Sequence, residues 1–299
     1  MYNGVSVIIP TYNKKERLKY TLDSLNNQVL VDPTHIEIII VDDGSSDGTQ
    51  ELINQFNFKY PVKYIYQINT GRSSARNVGI RNAEFSVLLF CDDDMLMPGN
   101  FVANHLSIQN TCRKPTLVHG EIYNLSLLKF FQDPGTGYLF DKLITHSNLE
   151  KVKEYLLVNN YEENLRIAVT QKKTTLFEKQ IQEIFNKCLS SLYWLCCTGG
   201  NISCSYGSLD DLYFDEDLDK CWGCEDLELG YRLHLANYDF IYSHDAFSFH
   251  IDHYRKNYKD NLEKAFEMFY SKHKLELVKK LPKLLLGEIR EIDEFIEHL

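Results

Sequence analysis

Two segments decide the fold: VSVIIPTYN at residues 5–13 and IEIIIVDDGSSDG at residues 36–48. Each starts with an apolar, β-branched run that predicts a buried strand, and each then turns polar. Residues 15–28 between them carry leucines at helical spacing, so the chain begins with a strand, a helix and a second strand. Further strands are predicted over residues 62–66 and 85–90, which favours a mostly parallel central sheet flanked by helices.

Three of these strands end in polar clusters, which are PTYN at residues 10–13, DDGS at residues 42–45 and DDD at residues 92–94. In open α/β sheets, ligands bind at the carboxyl ends of the strands. We therefore expect the three clusters to share one crevice. Helices predicted over residues 49–56 and 73–82 would cover the sheet beside it.

The composition excludes several classes of protein. The chain of 299 residues is 44% hydrophobic and 25% charged, as is typical of a folded globular protein. Its net charge of −10 argues against general nucleic-acid binding. No apolar run approaches the ~20 residues of a membrane helix, and a strand beginning by Val5 leaves no room for a signal peptide. We expect a cytoplasmic protein with no transmembrane segment, whose eight cysteines are free thiols.

Later parts of the chain follow a different pattern. Residues 121–195 predict a helical insertion, and residues 259–299 predict amphipathic helices packed on the outside. Within the latter, KKLPKLLL at residues 279–286 either packs as a surface helix or makes a peripheral contact with an anionic membrane.

The acidic triplet at residues 92–94 is either a solvated turn or a metal site. Adjacent carboxylates repel one another unless a cation compensates them, which favours the metal site. A calcium loop starting at Asp43 is excluded, because Asn54 stands where that loop needs a glutamate. Zinc is disfavoured, because the spacing of the cysteines around Cys196 and Cys221 is unlike that of zinc ribbons.

Arg72 and Arg76 lie at the start of a predicted helix, where amide donors and the helix dipole favour anions. They either face a phosphate group or pair with carboxylates. The chain has neither a dinucleotide glycine fingerprint nor a phosphate-loop lysine motif, which argues against hydride transfer and nucleoside-triphosphate hydrolysis.

A third motif region follows the insertion. Gly199 and Gly200 either form a simple turn or let a sugar approach the backbone, with Asn201 available to bind a hydroxyl group. WGCEDLELGYRL at residues 222–233 places two acids at the start of a predicted helix, and helix capping explains part of this pattern. Trp222 offers a flat apolar face to a sugar, although a buried tryptophan would read the same.

Together with ARNVGI at residues 75–80, these segments resemble the family 2 glycosyltransferases of GT-A fold, over about residues 4–105 and 196–253. The resemblance implies an α/β fold with a mostly parallel central sheet flanked by helices, a helical insertion and C-terminal helices. The implied division is a GT-A domain, residues 1–253, followed by a C-terminal helical extension, residues 254–299. The domain comprises a nucleotide-binding half, the insertion and an acceptor half, at residues 1–120, 121–195 and 196–253.

The resemblance also implies a set of nucleotide-binding residues. Tyr12 would stack on uracil, while Asp43 or its neighbour Asp42 would accept a hydrogen bond from the ring N–H. The full implied set is Pro10, Thr11, Tyr12, Asp42, Asp43, Arg72, Arg76, Asn77, Asp92 and Asp93.

A divalent metal, Mn²⁺ or Mg²⁺, is implied as cofactor, with Asp94 and His250 as its ligands. Asp93 is an alternative to Asp94, and His244 and His253 are alternatives to His250. A sphere of carboxylate and imidazole suits manganese at least as well as magnesium.

The implied activity is inverting transfer of a sugar from a nucleotide-diphosphate donor, a UDP-sugar in our interpretation, to a hydroxyl of a glycan or glycoconjugate acceptor. Asp226 would be the general base, with Glu225 beside it. The acceptor and donor sugar would meet Gly199, Gly200, Asn201 and Trp222. Retaining relatives typically carry asparagine after the glutamate, which favours inversion. The alternatives are a catalytically silent sugar-nucleotide or glycan-binding protein and a nucleotidyltransferase.

Overall fold

The computed structural model describes residue 2 and residues 4–29, 32–140, 152–220, 223–255 and 257–297. Trp222, which we expected to offer a face to a sugar, and Cys221, which we weighed as a zinc ligand, lie outside these residues. Each strand and helix predicted for the first 100 residues is present, with bounds that differ by a few residues at most.

The strands follow the apolar runs of the sequence, because β-branched residues pack well on a pleated surface. In chain order they are β1 (Val5–Thr11), β2 (Ile36–Asp42), β3 (Val62–Tyr66), β4 (Val87–Cys91), β5 (Met95–Leu96), β6 (Thr116–Asn124), β7 (Phe131–Asp133), β8 (Tyr138–Leu139), β9 (Lys173–Thr174), β10 (Asn201–Ser205) and β11 (Asp239–His250).

Among the described residues the main sheet has nine strands, in the order β3-β2-β1-β4-β10-β6-β11-β5, with β9 paired to β6. β3, β2, β1 and β4 are parallel. β10 is antiparallel to both β4 and β6, while β11 is parallel to β6. The sheet is therefore mixed, and the predicted parallel pairing joins the four strands of its first half and also joins β6 to β11. In the first half of the sheet, a connection that contains a helix joins each strand to the next, so the strands run in the same direction. A much longer stretch of chain separates β4 from β10, and β10 runs in the opposite direction.

The helices cover both faces of this sheet. They are α1 (Lys15–Asn26), α2 (Thr49–Gln55), α3 (Arg72–Arg81), α4 (Phe101–Thr111), α5 (Tyr161–Gln171), α6 (Leu176–Asn186), α7 (Glu225–Leu235), α8 (Tyr258–His273), α9 (Leu281–Leu285) and α10 (Ile292–Ile296).

Alternate residues of β1 fill two different cores. Val5 and Val7 pack with Leu18 of α1 on one face, whereas Ile8 packs with Ala75 of α3 on the other. Burial on both faces explains why these strands read as continuous apolar runs rather than alternating ones. Because β1 pairs in parallel with both β2 and β4, the carboxyl ends of these three strands lie side by side at one edge of the sheet.

Residues 121–195 are not only helical. They begin inside β6 and contain β7, β8 and β9 besides α5 and α6. The C-terminal helices share a core with α7 and with the 3₁₀ turn Ser190–Cys196. Leu281 and Leu284 are buried in that core, so these two leucines of residues 279–286 are not available to a membrane.

No helix in the described part of the chain combines the length and apolar character needed to cross a membrane. The described residues include seven of the chain's eight cysteines, and no disulfide bond joins any two of these seven.

Candidate functional site

A pocket of about 540 Å³ opens at the carboxyl ends of β1, β2 and β4. This volume is within the usual range for small-molecule sites. The three polar clusters share the pocket, as the sequence predicts. Its lining residues are Pro10, Thr11, Tyr12, Lys14, Asp43, Asn69, Gly71, Arg72, Ala75, Asp92, Asp93, Asp219, Gly223, Glu225, His253 and Asn261.

On one side of the pocket, Asp43 and Tyr12 are presented by the loops after β2 and β1. Asp43 accepts hydrogen bonds from the backbone N–H groups of Thr70 and Gly71 at 2.9 Å each. Tyr12 is 50% exposed, which leaves its ring free to stack. Asp42 does not line the pocket. Its carboxylate accepts from Ser45 N–H and from the Tyr64 hydroxyl. Only Asp43 of the two lines the pocket, so it is the one placed to meet a ligand.

The three adjacent aspartates point in different directions. Asp92 accepts a hydrogen bond from Arg76 at 3.0 Å, whereas Asp94 faces His250 and His253. Asp93 lies between them, 3.2 Å from Lys14 Nζ. Arg76 thus compensates the charge of Asp92, and the ammonium group of Lys14 compensates both Asp93 and Asp94, which relieves the mutual repulsion that the sequence predicted.

We define the metal-side cluster as Lys14, Asp93, Asp94, His250 and His253. Asp94 Oδ2 is 3.4 Å from His250 Nε2 and 3.3 Å from His253 Nε2. Asp94, His250 and His253 each offer one ligand atom, and these atoms all lie within 4.8 Å of one another. Burial acts against ionisation of Asp94, but Lys14 and the two histidines outweigh it and hold its pKa well below the usual range.

The metal-side histidines are held by residues that sequence reasoning missed. Asn124 Oδ1 lies 3.1 Å from His250 Nδ1, which directs His250 Nε2 at Asp94. Arg17 is buried and donates to the carbonyl oxygens of Ile251 and Asp252, which fixes the segment that carries His253.

The metal-side cluster fits a divalent cation. Asp94 Oδ1 is buried and has no hydrogen-bond partner among the described residues, a costly arrangement unless another group satisfies it. One carboxylate and two imidazoles are suitable ligands for manganese. His244 is not part of this cluster, because it pairs with Glu121 and its side chain is 69% exposed.

We define the acceptor-side cluster as Arg72, Arg76, Asp92, Glu225 and Asp226. Glu225 Oε1 accepts from Arg76 at 2.9 Å and from Arg72 at 3.0 Å. Burial acts to raise the pKa of Glu225, but the two guanidinium groups lower it to about 2. Arg72 and Arg76 therefore follow the alternative in which they pair with carboxylates, although Arg72 also lines the pocket.

Asp226 is the half-buried residue after Glu225 at the start of α7. Its Oδ1 accepts from the N–H of Leu227 at 2.8 Å. Burial and the neighbouring charge of Glu225 raise the pKa of Asp226 to about 7. A carboxyl group with this pKa is well matched to proton transfer near neutral pH.

The Gly199–Gly200 turn passes between carboxylates of the acceptor-side cluster. Gly199 has φ +65°, and a Cβ at this position would lie 2.7 Å from Arg76 Nη2 and 3.2 Å from Asp226 Oδ2. A Cβ on Gly200 would lie 3.1 Å from Asp92 Oδ2. Asp226 thus borders Gly199 and Asp92 borders Gly200, and glycine is needed where the backbone passes between the two carboxylates.

Two predicted site residues are corrected by the structure. Asn201 is fully buried in β10, where its amide donates to the Ala246 carbonyl and its oxygen lies 2.8 Å from His105, so it has no group free for a sugar hydroxyl. Asn77 is buried and pairs with the backbone of Phe214.

The N-terminus of α3 is also not free for a phosphate group. The carboxylate of Asp219 accepts from the N–H groups of Ser73 and Ser74 at 2.8 and 3.0 Å. Sequence reasoning missed Asp219, and it missed Asn261 of α8, which brings the C-terminal helices to the pocket. Only Lys14 had a local signal, since it directly follows the first polar cluster.

Residues 6–111 match the family described as Glycosyl transferase family 2. The uncharacterized glycosyltransferase YfnE of Bacillus subtilis (strain 168) is 30% identical over 261 residues, which cover 83% of this chain and 64% of the relative. The chain spans less than two thirds of the length of the curated relatives it matches.

Solved structures show the same fold at low identity. TarS of S. aureus in complex with UDP-GlcNAc has a TM-score of 0.57 at 17% identity, covering 95% of this chain and 71% of that one. The mannosyltransferase PcManGT of Pyrobaculum calidifontis, in complex with GDP-Man and Mn²⁺, has a TM-score of 0.58 at 16% identity, covering 96% and 69%. The chain thus has the GT-A fold, and its residues 6–111 match glycosyltransferase family 2.

Proposed function

We propose that the chain is an inverting glycosyltransferase that moves a sugar from a UDP-linked donor to a hydroxyl of a glycan or glycoconjugate. The observation that supports this proposal is the Gly199–Gly200 turn, which borders both Asp226 and Asp92, the first residue of the acidic triplet. Asp92 lines the pocket together with Glu225, the neighbour of Asp226. A donor whose diphosphate lies near the triplet would present its reactive carbon toward Asp226.

The donor half of the proposal rests on residues 1–120. Tyr12 would stack on the base and Asp43 would accept from its ring N–H, since both line the pocket. TarS and PcManGT are solved with nucleotide-diphosphate sugars, which supports this donor class. We propose UDP rather than GDP on the sequence resemblance.

Asp94, His250 and His253 would hold the divalent cation. Such a cation supplies charge neutralisation for the diphosphate leaving group. PcManGT is solved with Mn²⁺, and the mixed carboxylate and imidazole set supports the same choice here. Asn124 would keep the His250 ring oriented for this task.

Asp226 would accept the proton of the acceptor hydroxyl as that oxygen attacks the sugar. The pKa of about 7 makes Asp226 a stronger base than an ordinary aspartate once it is ionised. Glu225 would act as a positioning residue, because its charge is already engaged by two arginines. The acceptor would enter from residues 196–253, with Asn261 of the C-terminal extension at the rim.

A donor screen tests the proposal. UDP-glucose, UDP-galactose, UDP-GlcNAc, UDP-GalNAc and GDP-mannose are each offered with mixed glycan acceptors, with Mn²⁺, with Mg²⁺ and with EDTA. We expect release of UDP from one UDP-sugar with Mn²⁺, none with EDTA, and a product whose anomeric proton coupling shows inversion.

Other outcomes point to the alternatives. Release of UMP would indicate nucleotidyl transfer. Tight UDP binding without release from any donor would indicate a silent sugar-nucleotide-binding protein. A product that keeps the donor's anomeric configuration would remove the single-displacement role of Asp226.

A further inference from the structure

Lys14 precedes α1, and its ammonium group lies inside the metal-side cluster. Nζ is 2.6 Å from Asp94 Oδ2, 3.2 Å from Asp93 Oδ1 and 3.1 Å from His253 Nε2. Asp94 Oδ2 is the same oxygen that His250 and His253 face. A divalent cation bound by these three ligands would therefore compete with the ammonium group for one carboxylate oxygen.

The two cations exclude each other for two reasons. Like charges a few ångströms apart repel strongly where the surroundings screen them weakly, and Asp94 is only 1% exposed. In addition, His253 Nε2, the nitrogen that faces Asp94, also lies against Lys14 Nζ. Lys14 has to leave before His253 and Asp94 Oδ2 can bind a metal.

Lys14 has somewhere to go. Its side chain is 28% exposed and lines the pocket together with Tyr12 and Asp43, the residues proposed to hold the nucleotide. Lysine carries its charge on a flexible four-carbon stem, so the ammonium group can turn out of the cluster without movement of α1. A diphosphate in the pocket would offer it oxygen atoms in place of the carboxylates.

We propose that Lys14 is an exchange residue, which neutralises Asp93 and Asp94 until a divalent cation replaces it and then binds the donor diphosphate. This inference rests on the proposed metal and nucleotide-diphosphate donor. It makes metal and nucleotide bind cooperatively, because the nucleotide stabilises the position that Lys14 takes once the metal has displaced it.

Calorimetric titration of Mn²⁺ and UDP into the full chain tests the exchange. Lys14→Met and Lys14→Gln remove the charge, and Lys14→Arg keeps it. Lys15→Met is the matched control, since Lys15 is the adjacent lysine and contacts Glu16 rather than the cluster. Without UDP, we expect Mn²⁺ to bind Lys14→Met and Lys14→Gln at least about tenfold more tightly than wild type. Lys14→Arg and Lys15→Met should bind it as wild type does.

The second half of the exchange is read from UDP. At saturating Mn²⁺, UDP should bind Lys14→Met and Lys14→Gln about tenfold more weakly than wild type, because the diphosphate loses a charged hydrogen bond. Lys14→Gln keeps a donor beside Asp94, so it tests the charge even if Lys14→Met does not fold. Unchanged or weaker Mn²⁺ binding in the folded neutral variant overturns the proposal, as does equal tightening in Lys15→Met.

The donor screen separates this proposal from the proposed function. A chain that releases UDP from a donor but shows no effect at Lys14 overturns the exchange alone. A chain that shows the expected order of Mn²⁺ affinities but never transfers a sugar contradicts the transferase and supports the exchange.

Discussion

The metal-side and acceptor-side clusters shift the pKa of an aspartate in opposite directions. In the metal-side cluster, cationic and imidazole groups surround Asp94 and hold its pKa well below the usual range despite burial. In the acceptor-side cluster, burial and the charge of Glu225 raise the pKa of Asp226 to about 7. Asp94 is thereby kept as an anion, while Asp226 is left able to take up a proton near neutral pH.

The difference comes from how cations are shared. Glu225 takes hydrogen bonds from both Arg72 and Arg76, and its neighbour Asp226 accepts only a backbone N–H among the hydrogen bonds seen in the described residues. Glu225 and Asp226 therefore differ in pKa, because among the described contacts only Glu225 accepts hydrogen bonds from the guanidinium groups. Four substitutions test how the charges of this cluster are shared.

Asp226→Asn removes the carboxylate that is proposed as the general base. Without a general base, we expect the transfer rate to fall by about 10²- to 10⁴-fold. Affinity for UDP in the presence of Mn²⁺ should stay as in wild type, because the metal-side cluster is untouched. Initial-rate kinetics and calorimetry measure the two effects. Asp245→Asn, an exposed acid outside the pocket, is the control, and undiminished turnover in Asp226→Asn would remove this residue from the mechanism.

Arg76→Met removes the cation that holds the acceptor-side cluster together. Arg76 is 1% exposed and pairs with Asp92 and Glu225, so its loss leaves buried carboxylate charge with less compensation. We expect unfolding free energy to fall by about 3 to 5 kcal/mol in urea denaturation. Arg81→Met, an exposed arginine of the same helix, should change it by less than about 0.5 kcal/mol. Equal stability of the two variants would contradict the structural role of Arg76.

Glu225→Gln sharpens the comparison through pH. Asp226 accepts a proton only when it is ionised, so kcat/KM of wild type should rise with pH through a midpoint near 7. The charge of Glu225 contributes to that raised pKa. Its removal should therefore move the acidic limb to lower pH, in addition to any loss of rate. A limb that stays in place would show that burial alone sets the pKa of Asp226.

Asp219→Ala has the smallest expected effect. Asp219 is paired with backbone N–H groups at the start of α3 rather than with a cation. We expect the variant to lose about 1 kcal/mol of unfolding free energy, as for a lost helix cap. Thermal or urea denaturation beside Asp245→Ala measures it. A loss as large as that of Arg76→Met would mean that Asp219 belongs to the charge network.

The local pattern of the sequence was sufficient for most of the first half of the fold. The apolar runs of β1, β2 and β4 predicted these strands, because burial on both faces requires a continuous apolar run. The spacing of the leucines predicted α1, because a helix buried on one face has an apolar residue every three or four positions. The mixed sheet was not predictable in this way. The direction of β10 depends on which strands it pairs with, and those partners lie about one hundred residues away in sequence.

The same limit applies to the site. The acidic triplet and the Glu225–Asp226 pair were identifiable because several polar residues follow each other at the end of a predicted strand or the start of a predicted helix. Asn201 and Asn77 were assigned to ligands from similar patterns, but the structure uses both to satisfy buried polar groups. A polar residue in a motif has the same letter in either role, and only packing distinguishes them.

The pattern of the sequence was enough to predict the order of strands and helices in the first 100 residues, the edge of the sheet where the pocket opens and the carboxylates that lie there. Only the tertiary structure decided the partner of each carboxylate. Asp94 faces the two histidines and Lys14 lies beside them. Glu225, and not its neighbour Asp226, accepts hydrogen bonds from the two arginines. The physical reason is that burial and charge contacts, which set the chemistry of a carboxyl group, arise between residues far apart along the chain.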